Sequence, residues 1–399
     1  MDAYNKAATG ADALKVNMTV KQIETIDRLT QTAVASGSGP DLIATFGPAQ
    51  TLNYVGNGNL LPLDPYVAQY GWQDAFLPWA LDAGRVDGKL YSLPANLETM
   101  AVFYNPATFA QHGWKPPTTL AEFEALCQDA KGKGMVPVGA GNAEWKPATE
   151  WDVTWVWNTF AGPTALYEAL TGERRWTDPV FVDAINLLKG WFDKGWFGGS
   201  TDRYFTNKNS TVYSQLAGGG AALVFNGSWA FAEIGPYFGE AAGNDATWDF
   251  APLPSLGSGV PAGCSRCRSA PPTPSTRTAP SPRGPRTCST TSSPTRPANW
   301  GRWPRPACRP PPSRWRRRTS RVHRPPCQAP VPGAQLGREH RLHDLDLLAP
   351  KSDTYIYEQM EKVLVGQLSP QDYCAGLDKV FQEELKAGQR PPVPAPTGA

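Results

Sequence analysis

The stretch Gly88–Asn105, GKLYSLPANLETMAVFYN, decides how the rest of the chain is read. Leu90-Tyr91-Ser92-Leu93 has strand character and stops at Pro94, while Met100–Tyr104, MAVFY, is a second strand that stops at Asn105-Pro106. Between them, Ala95–Thr99 is expected to be a loop offering the Asn96 amide and the Glu98 carboxylate. Loops held by flanking strands are where binding groups concentrate.

Upstream, Val16–Val20 is expected as a strand, and Lys21–Ser36 as a helix with Ile23, Ile26, Leu29 and Ala33 on one face. Asp41–Phe46, DLIATF, has the apolar run of a buried parallel strand, so strand, helix, strand predict a βαβ unit. Downstream, Pro106–His112 is a short helix, and Thr119-Leu120-Ala121-Glu122 is a capping box opening another. Val136–Val138 is a strand, Trp151–Leu170 carries large apolar residues at helical spacing, and Asp178-Pro179 is a cap followed by proline at the first helical position. Gly218–Gly220 leads into the buried strand Ala221–Phe225; Asn226-Gly227-Ser228 then reads as turn and cap before a helix beginning at Trp229. Alternation of this kind predicts an α/β fold with mostly parallel sheets. Two further helices, Tyr355–Val365 and one capped by Ser369 that runs to about Lys386, precede a tail rich in proline.

A chain of 399 residues with 41% hydrophobic and 19% charged residues suffices for two domains with their own cores. No run approaches the roughly 20 apolar residues that span a bilayer, and the first residues, MDAYNKAATG, lack the regions of a signal peptide. As written, the chain is not expected to be addressed for export. Its net charge of +2 conceals two opposed parts. Residues 263–343 hold 17 Arg, no Lys and one acid, Glu339, giving about +16, against about −14 for the remainder. An acidic body argues against a nucleic-acid role for most of the chain. Five of the seven cysteines lie in the basic part, so the body shows no disulfide framework.

Residues 263–343 also contain 17 Pro and no period of either kind, so this segment is expected to be irregular or disordered. Three readings compete for it. An Arg/Pro arm for nucleic acid or acidic lipid is at odds with the absence of Lys. A zinc site on Cys264 and Cys267 with Cys288 or His323 lacks a matched second pair. The favoured third reading is an out-of-frame segment. Thr287–Trp300, TCSTTSSPTRPANW, has permitted codons that, shifted by two bases, read LLDYFFTDPARQL, an amphipathic helix with an internal Asp-Pro.

Catalytic motifs are scarce: there is no G-x-S-x-G, no HExxH and no phosphate loop, and no cofactor or metal is expected. His112, the one histidine of the body, lies at a helix end of surface character. Glu98 with Glu150 or Asp152 could form a glycosidase pair, which keeps a carbohydrate-active enzyme as an alternative beside an Arg-rich nucleic-acid binder. Tryptophan is the informative class, with 12 of 15 outside the basic part, because indole faces stack on sugar C–H surfaces while amides and carboxylates pair hydroxyls. Trp229, at a helix start after a glycine-rich strand, favours ligand stacking over core packing; Trp151 and Trp155 stand nearer even, and Trp72, Trp79, Trp114, Trp191 and Trp196 are left as structural.

The ordered set KAATG, PDLIATF, GNLLPLD, GKLYSLP, VFYNPATF, TTLAEFEAL, GGGAALVFNGSW and APLP resembles the extracellular solute-binding proteins of ABC importers of the maltose-binding type. The resemblance covers Tyr4–Gly263 and Lys351–Lys386, and the shifted text, a helix ending FxxDPxxQ, is similar to what that family carries after its central crossover. It implies two α/β lobes closing like a hinge: 1–104 as lobe 1 with its first strand missing, 105–250 as lobe 2, 251–262 as a crossover, 263–343 as an out-of-frame remnant of lobe 1, 344–387 as helices packing on lobe 2, and 388–399 as a flexible tail. It also implies a monomer outside the cytoplasm that binds a mono- to oligosaccharide and delivers it to importer membrane subunits. The expected ligand contacts are Trp229, Glu98, Asn96, Trp155, Trp151, Asn226 and Phe46, with no catalytic residue.

Overall fold

In the computed structural model, residues 16–21, 23–258, 260, 268–270 and 347–393 are described. Their organising strand is β4, Met100–Tyr104, which takes the place the sequence gives it. Alternation sends Met100 and Val102 into one apolar cluster and Ala101 and Phe103 into another, so both faces of the strand are covered. β4 runs antiparallel to β6, Ala221–Gly227, from Met100↔Gly227 to Tyr104↔Leu223, and on its other edge to β7, Asp249–Ala251. β5, Val136–Val138, pairs parallel with β6, giving the order β5-β6-β4-β7.

Two expectations are corrected here. The described sheet is mixed, with one parallel pairing and two antiparallel ones, because β4 lies between β6 and β7 and runs against both. Met100–Tyr104 also lies in the sheet of the segment expected as lobe 2, so the chain crosses into that sheet before Met100 and not at residue 104.

Helices cover both faces. On one lie α5 (Leu120–Gly132), α6 (Ala148–Phe160) and α8 (Pro179–Asp193), with α7 (Pro163–Thr171) packed on α6 and α9 (Asn209–Ala217) on the opposite face. Thr119 Oγ1 accepts the Glu122 N–H at 3.2 Å, and Glu122 reaches back to the Thr118 N–H and hydroxyl, each at 2.7 Å. Asp178 accepts the Val180 N–H at 3.1 Å and starts α8. The long stretch expected from Trp151 to Leu170 is two helices, broken at Gly162-Pro163, where Gly162 has a φ of 89°.

The C-terminal helices α10 (Pro350–Leu364) and α11 (Pro370–Lys386) complete the same core, burying Ile356, Met360, Leu377 and Phe381 against α6 and α8. Glu384 of α11 accepts the Lys351 and Ser352 N–H groups at 2.8 and 2.9 Å, capping α10. Asp378 accepts from Arg175 and, at 3.1 Å, from the Trp176 N–H. The tail 388–399 is expected to be flexible, yet Val393 packs on the core and Arg390 Nη1 donates to the Thr171 carbonyl at 2.8 Å; 394–399 lie outside the described residues.

The N-terminal part holds α1 (Ile23–Ala35), α2 (Pro48–Gly56) and α3 (Asp64–Tyr70), with small cores around Ile43, Tyr54 and Leu60 and around Leu63, Val67, Leu81 and Leu90. The strand expected over Leu90–Leu93 is a hairpin arm instead. β1 (Arg85–Val86) turns through Asp87-Gly88, with φ of 50° and 75°, into β2 (Lys89–Leu90). The ladder ends because Tyr91 and Ser92 both donate to the Gly84 carbonyl. Val16–Val20 is not a strand, and Asp41–Phe46 carries only a bridge at Leu42, for neither has a ladder partner among the described residues. Asn96–Glu98, expected as loop, is β3, paired antiparallel with β8, Arg268–Ala270. Those three residues depart from the irregularity expected of 263–343, the rest of which lies outside the described residues.

Candidate functional site

β6 ends at Gly227, and the chain turns so that the Trp229 indole folds back over it. A Cβ at residue 227 would stand 1.9 Å from that ring, so only glycine leaves room for it. The helix expected to begin at Trp229 is the four-residue Ala230–Glu233, with Trp229 in the N-cap place that Ser228 is expected to fill. The Ser228 Oγ accepts the Thr99 N–H at 3.3 Å and its N–H donates to the Thr99 carbonyl at 2.7 Å. These bonds fasten the Trp229 turn to the residue following Glu98.

From Trp229 a run of aromatic rings crosses between distant parts of the chain. Trp229 meets Trp151 of α6 with centroids 4.8 Å apart, Trp151 meets Trp145 at 5.1 Å, and Trp145 meets Phe46 at 6.3 Å. Successive planes are inclined by 49°, 45° and 51°, and every ring in the run is only partly buried. Of three expected contacts, Trp151 and Trp229 meet directly, and Phe46 is joined to them by a residue absent from the sequence-derived candidates, Trp145. Its signal is a tryptophan beside Lys146-Pro147 in the irregular segment after β5, where no helical or strand face demands a large apolar side chain. The Trp151 Nε1–H is buried without a hydrogen-bond partner among the described residues, an unused donor within the run.

Two candidates fall elsewhere. Trp155 has no exposed surface: its ring lies parallel to Phe225 at 4.4 Å and to Trp191 at 5.8 Å, inside the main core, so no face is open to a ligand. Asn226, 4% exposed, donates to the Tyr213 hydroxyl at 2.8 Å and accepts the Gly227 N–H at 2.8 Å. The Tyr213 hydroxyl in turn donates to Glu233 at 3.1 Å, and burial pushes its pKa up. Asn226 is therefore consumed in a structural network. Glu98 sits half-buried on β3 one residue before the Thr99–Ser228 bonds; Asn96 shares that strand, facing Ala270 in the backbone register.

Glu150 and Asp152, weighed as partners of Glu98 in a glycosidase pair, are buried. Glu150 accepts from the Thr154 hydroxyl, and Asp152 accepts from the Tyr204 hydroxyl at 2.9 Å. Burial pushes the Asp152 carboxyl up to about 7, against the lowering effect of the Tyr204 bond. Among the described residues no cluster of His, Cys, Asp and Glu could hold a metal, and no helix is long and apolar enough to cross a membrane.

The family model described as "Bacterial extracellular solute-binding protein" matches residues 1–273. The chain belongs to that family. Among curated relatives of this solute-binding protein, a "Probable sugar-binding periplasmic protein" of Rhizobium meliloti is 30% identical over 208 residues, 50% of this chain and 47% of the relative. The "Alpha-glucosides-binding periplasmic protein" of the same organism is 28% identical over 210 residues, 48% of this chain and 42% of the relative. The chain thus matches about half the length of these relatives. A solved chitin oligosaccharide binding protein superposes with a TM-score of 0.69 at 22% identity, covering 92% of this chain and 89% of that one. A structure from a study of xylan utilisation by Caldanaerobius polysaccharolyticus gives 0.71 at 15%, covering 95% and 94%. The solute-binding protein therefore has the two-lobed α/β fold of these neighbours, as expected from the ordered motifs.

Proposed function

We propose that this solute-binding protein takes a carbohydrate, mono- to oligosaccharide, between its two lobes and delivers it, outside the cytoplasm and as a monomer, to the membrane subunits of an ABC importer. The observation that carries the reading is the run Phe46, Trp145, Trp151 and Trp229, partly exposed rings supplied by separate segments of the chain. Inclined indole faces offer stacking surfaces to successive pyranose rings. Glu98, and Asn96 on the same strand, would pair hydroxyls at one side. The relatives named for sugars and α-glucosides support the ligand class, and their periplasmic names support the location. Ligand binding would shift an open–closed equilibrium, with the closed form recognised by the importer.

No turnover belongs to this reading, and the burial of Glu150 and Asp152 speaks against pairing them with Glu98 for hydrolysis. Residues 263–343 belong to the reading as an out-of-frame remnant of the return segment of lobe 1, supported by their Arg/Pro-rich, Lys-free composition. Calorimetric titration with maltotriose, stachyose and chitotriose tests the proposal. Wild-type binding of at least one, abolished in Trp229→Ala with unchanged far-UV dichroism, is expected; unaltered affinity in the variant would refute it.

A further inference from the structure

We propose that Asn142 and Glu361 form a positioning pair that fixes the Trp145 end of the aromatic run by tying its loop to C-terminal helix α10. The inference rests on the saccharide reading of that run.

Trp145 lies in the connection between β5 and α6, which has no regular helix or strand to orient its ring. What holds this connection is Asn142, 4% exposed. Its N–H donates to the Tyr204 carbonyl at 3.0 Å, and its carbonyl accepts the Trp145 N–H at 3.2 Å. Its Nδ2 donates both to Thr149 Oγ1 at 3.0 Å and to Glu361 Oε1 at 3.0 Å. The Trp145 carbonyl then accepts the Ala148 N–H at 3.0 Å, entering the first turn of α6. One amide thus locks the turn that presents Trp145 to the helix that presents Trp151 and, 219 residues along the chain, to α10. Because Glu361 is a carboxylate, its bond from a buried amide is of the strong, charge-assisted kind.

A bond that merely staples the fold would change stability and nothing else. A positioning pair also changes the packing of Trp145 on Trp151, and with it the tryptophan near-UV dichroism, before any sugar is added. Asn142→Asp removes the donor and sets a second carboxylate against Glu361. In the full chain it is expected to alter the near-UV tryptophan bands and to weaken binding of the tightest of maltotriose, stachyose and chitotriose by about tenfold or more, the cost of one hydrogen bond to a charged group, with far-UV dichroism unchanged. Glu361→Gln keeps an acceptor and is expected to leave spectrum and affinity within about twofold of wild type. The double variant N142D/E361Q, in which Gln can donate to Asp, should restore both.

Near-UV bands and affinity unaltered by N142D, or a loss that persists in the double variant, would overturn the pair. Should N142D lose far-UV structure, Glu361→Ala, which deletes only the acceptor, takes its place with the same expected spectral and affinity changes. Failure of all three sugars to bind the wild-type chain would fell the saccharide reading alone, since the spectra of the free protein still decide the positioning role.

Discussion

Gly227 shows what single residues decide here. The Trp229 indole occupies the space a side chain would need, so Gly227→Ala must displace the ring that opens the aromatic run. The expected cost is about 1–3 kcal/mol in stability, with a parallel loss of sugar affinity; melting and titration of the variant would show both. Trp155 lies at the opposite extreme. A helical tryptophan stripe has the same appearance whether it faces core or cleft, and the parallel packing on Phe225 and Trp191 assigns it to the core. Trp155→Ala should therefore cost about 3–5 kcal/mol of stability, measured by denaturant unfolding. Asp152 carries a pH signature. Its folded pKa, raised by burial to about 7 from 3.8, lets the native state hold a proton that the unfolded state has lost. Its contribution to stability is present at low pH and lost as pH rises through about 7. Asp152→Asn removes that loss, so the stability of the variant relative to wild type should improve by roughly 1–4 kcal/mol between pH 5 and pH 8. A difference independent of pH would contradict the assignment.

At the scale of elements, what could be read was whatever carries its own local signal. Met100–Tyr104 was legible because its apolar character serves both faces, and α5 and α8 because Thr119 and Asp178 announce their starts. Val16–Val20 and Asp41–Phe46 have strand composition but are not strands, because a strand is defined by a ladder partner, which local pattern does not contain. At Asp87-Gly88 the two-residue Asp-Gly turn is a strong hairpin cue, but the flanking arms are only two residues each and give no alternation. The packing of α11 on lobe 2 is implied by the resemblance, but the contacts that fix it carry no local signal, since Asp378 meets Arg175 and the Trp176 N–H across more than 200 residues. Asp378→Ala leaves that N–H unpaired in the core and should lower stability by about 2 kcal/mol, again read from denaturant unfolding.

For the whole molecule, the order of weak motifs carried more than any one of them, and the two-lobed α/β fold followed from that order. The site was half legible. Trp151 and Trp229 meet directly, but Phe46 joins them only through Trp145, whose neighbours are set by folding and not by spacing. The contrast between an acidic body and an Arg/Pro segment leads to a prediction at the level of the gene. Resequencing should reveal a shifted frame across residues 263–343, whereas a single intact frame encoding TCSTTSSPTRPANW as printed would sink the idea. The central claim, a saccharide held on the aromatic run, is tested most directly by titrating the full chain, Trp229→Ala and Trp145→Ala calorimetrically with maltotriose, stachyose and chitotriose. The account predicts binding of at least one sugar by the wild type and its loss in both variants with the fold retained. Equal affinity in all three proteins would contradict it.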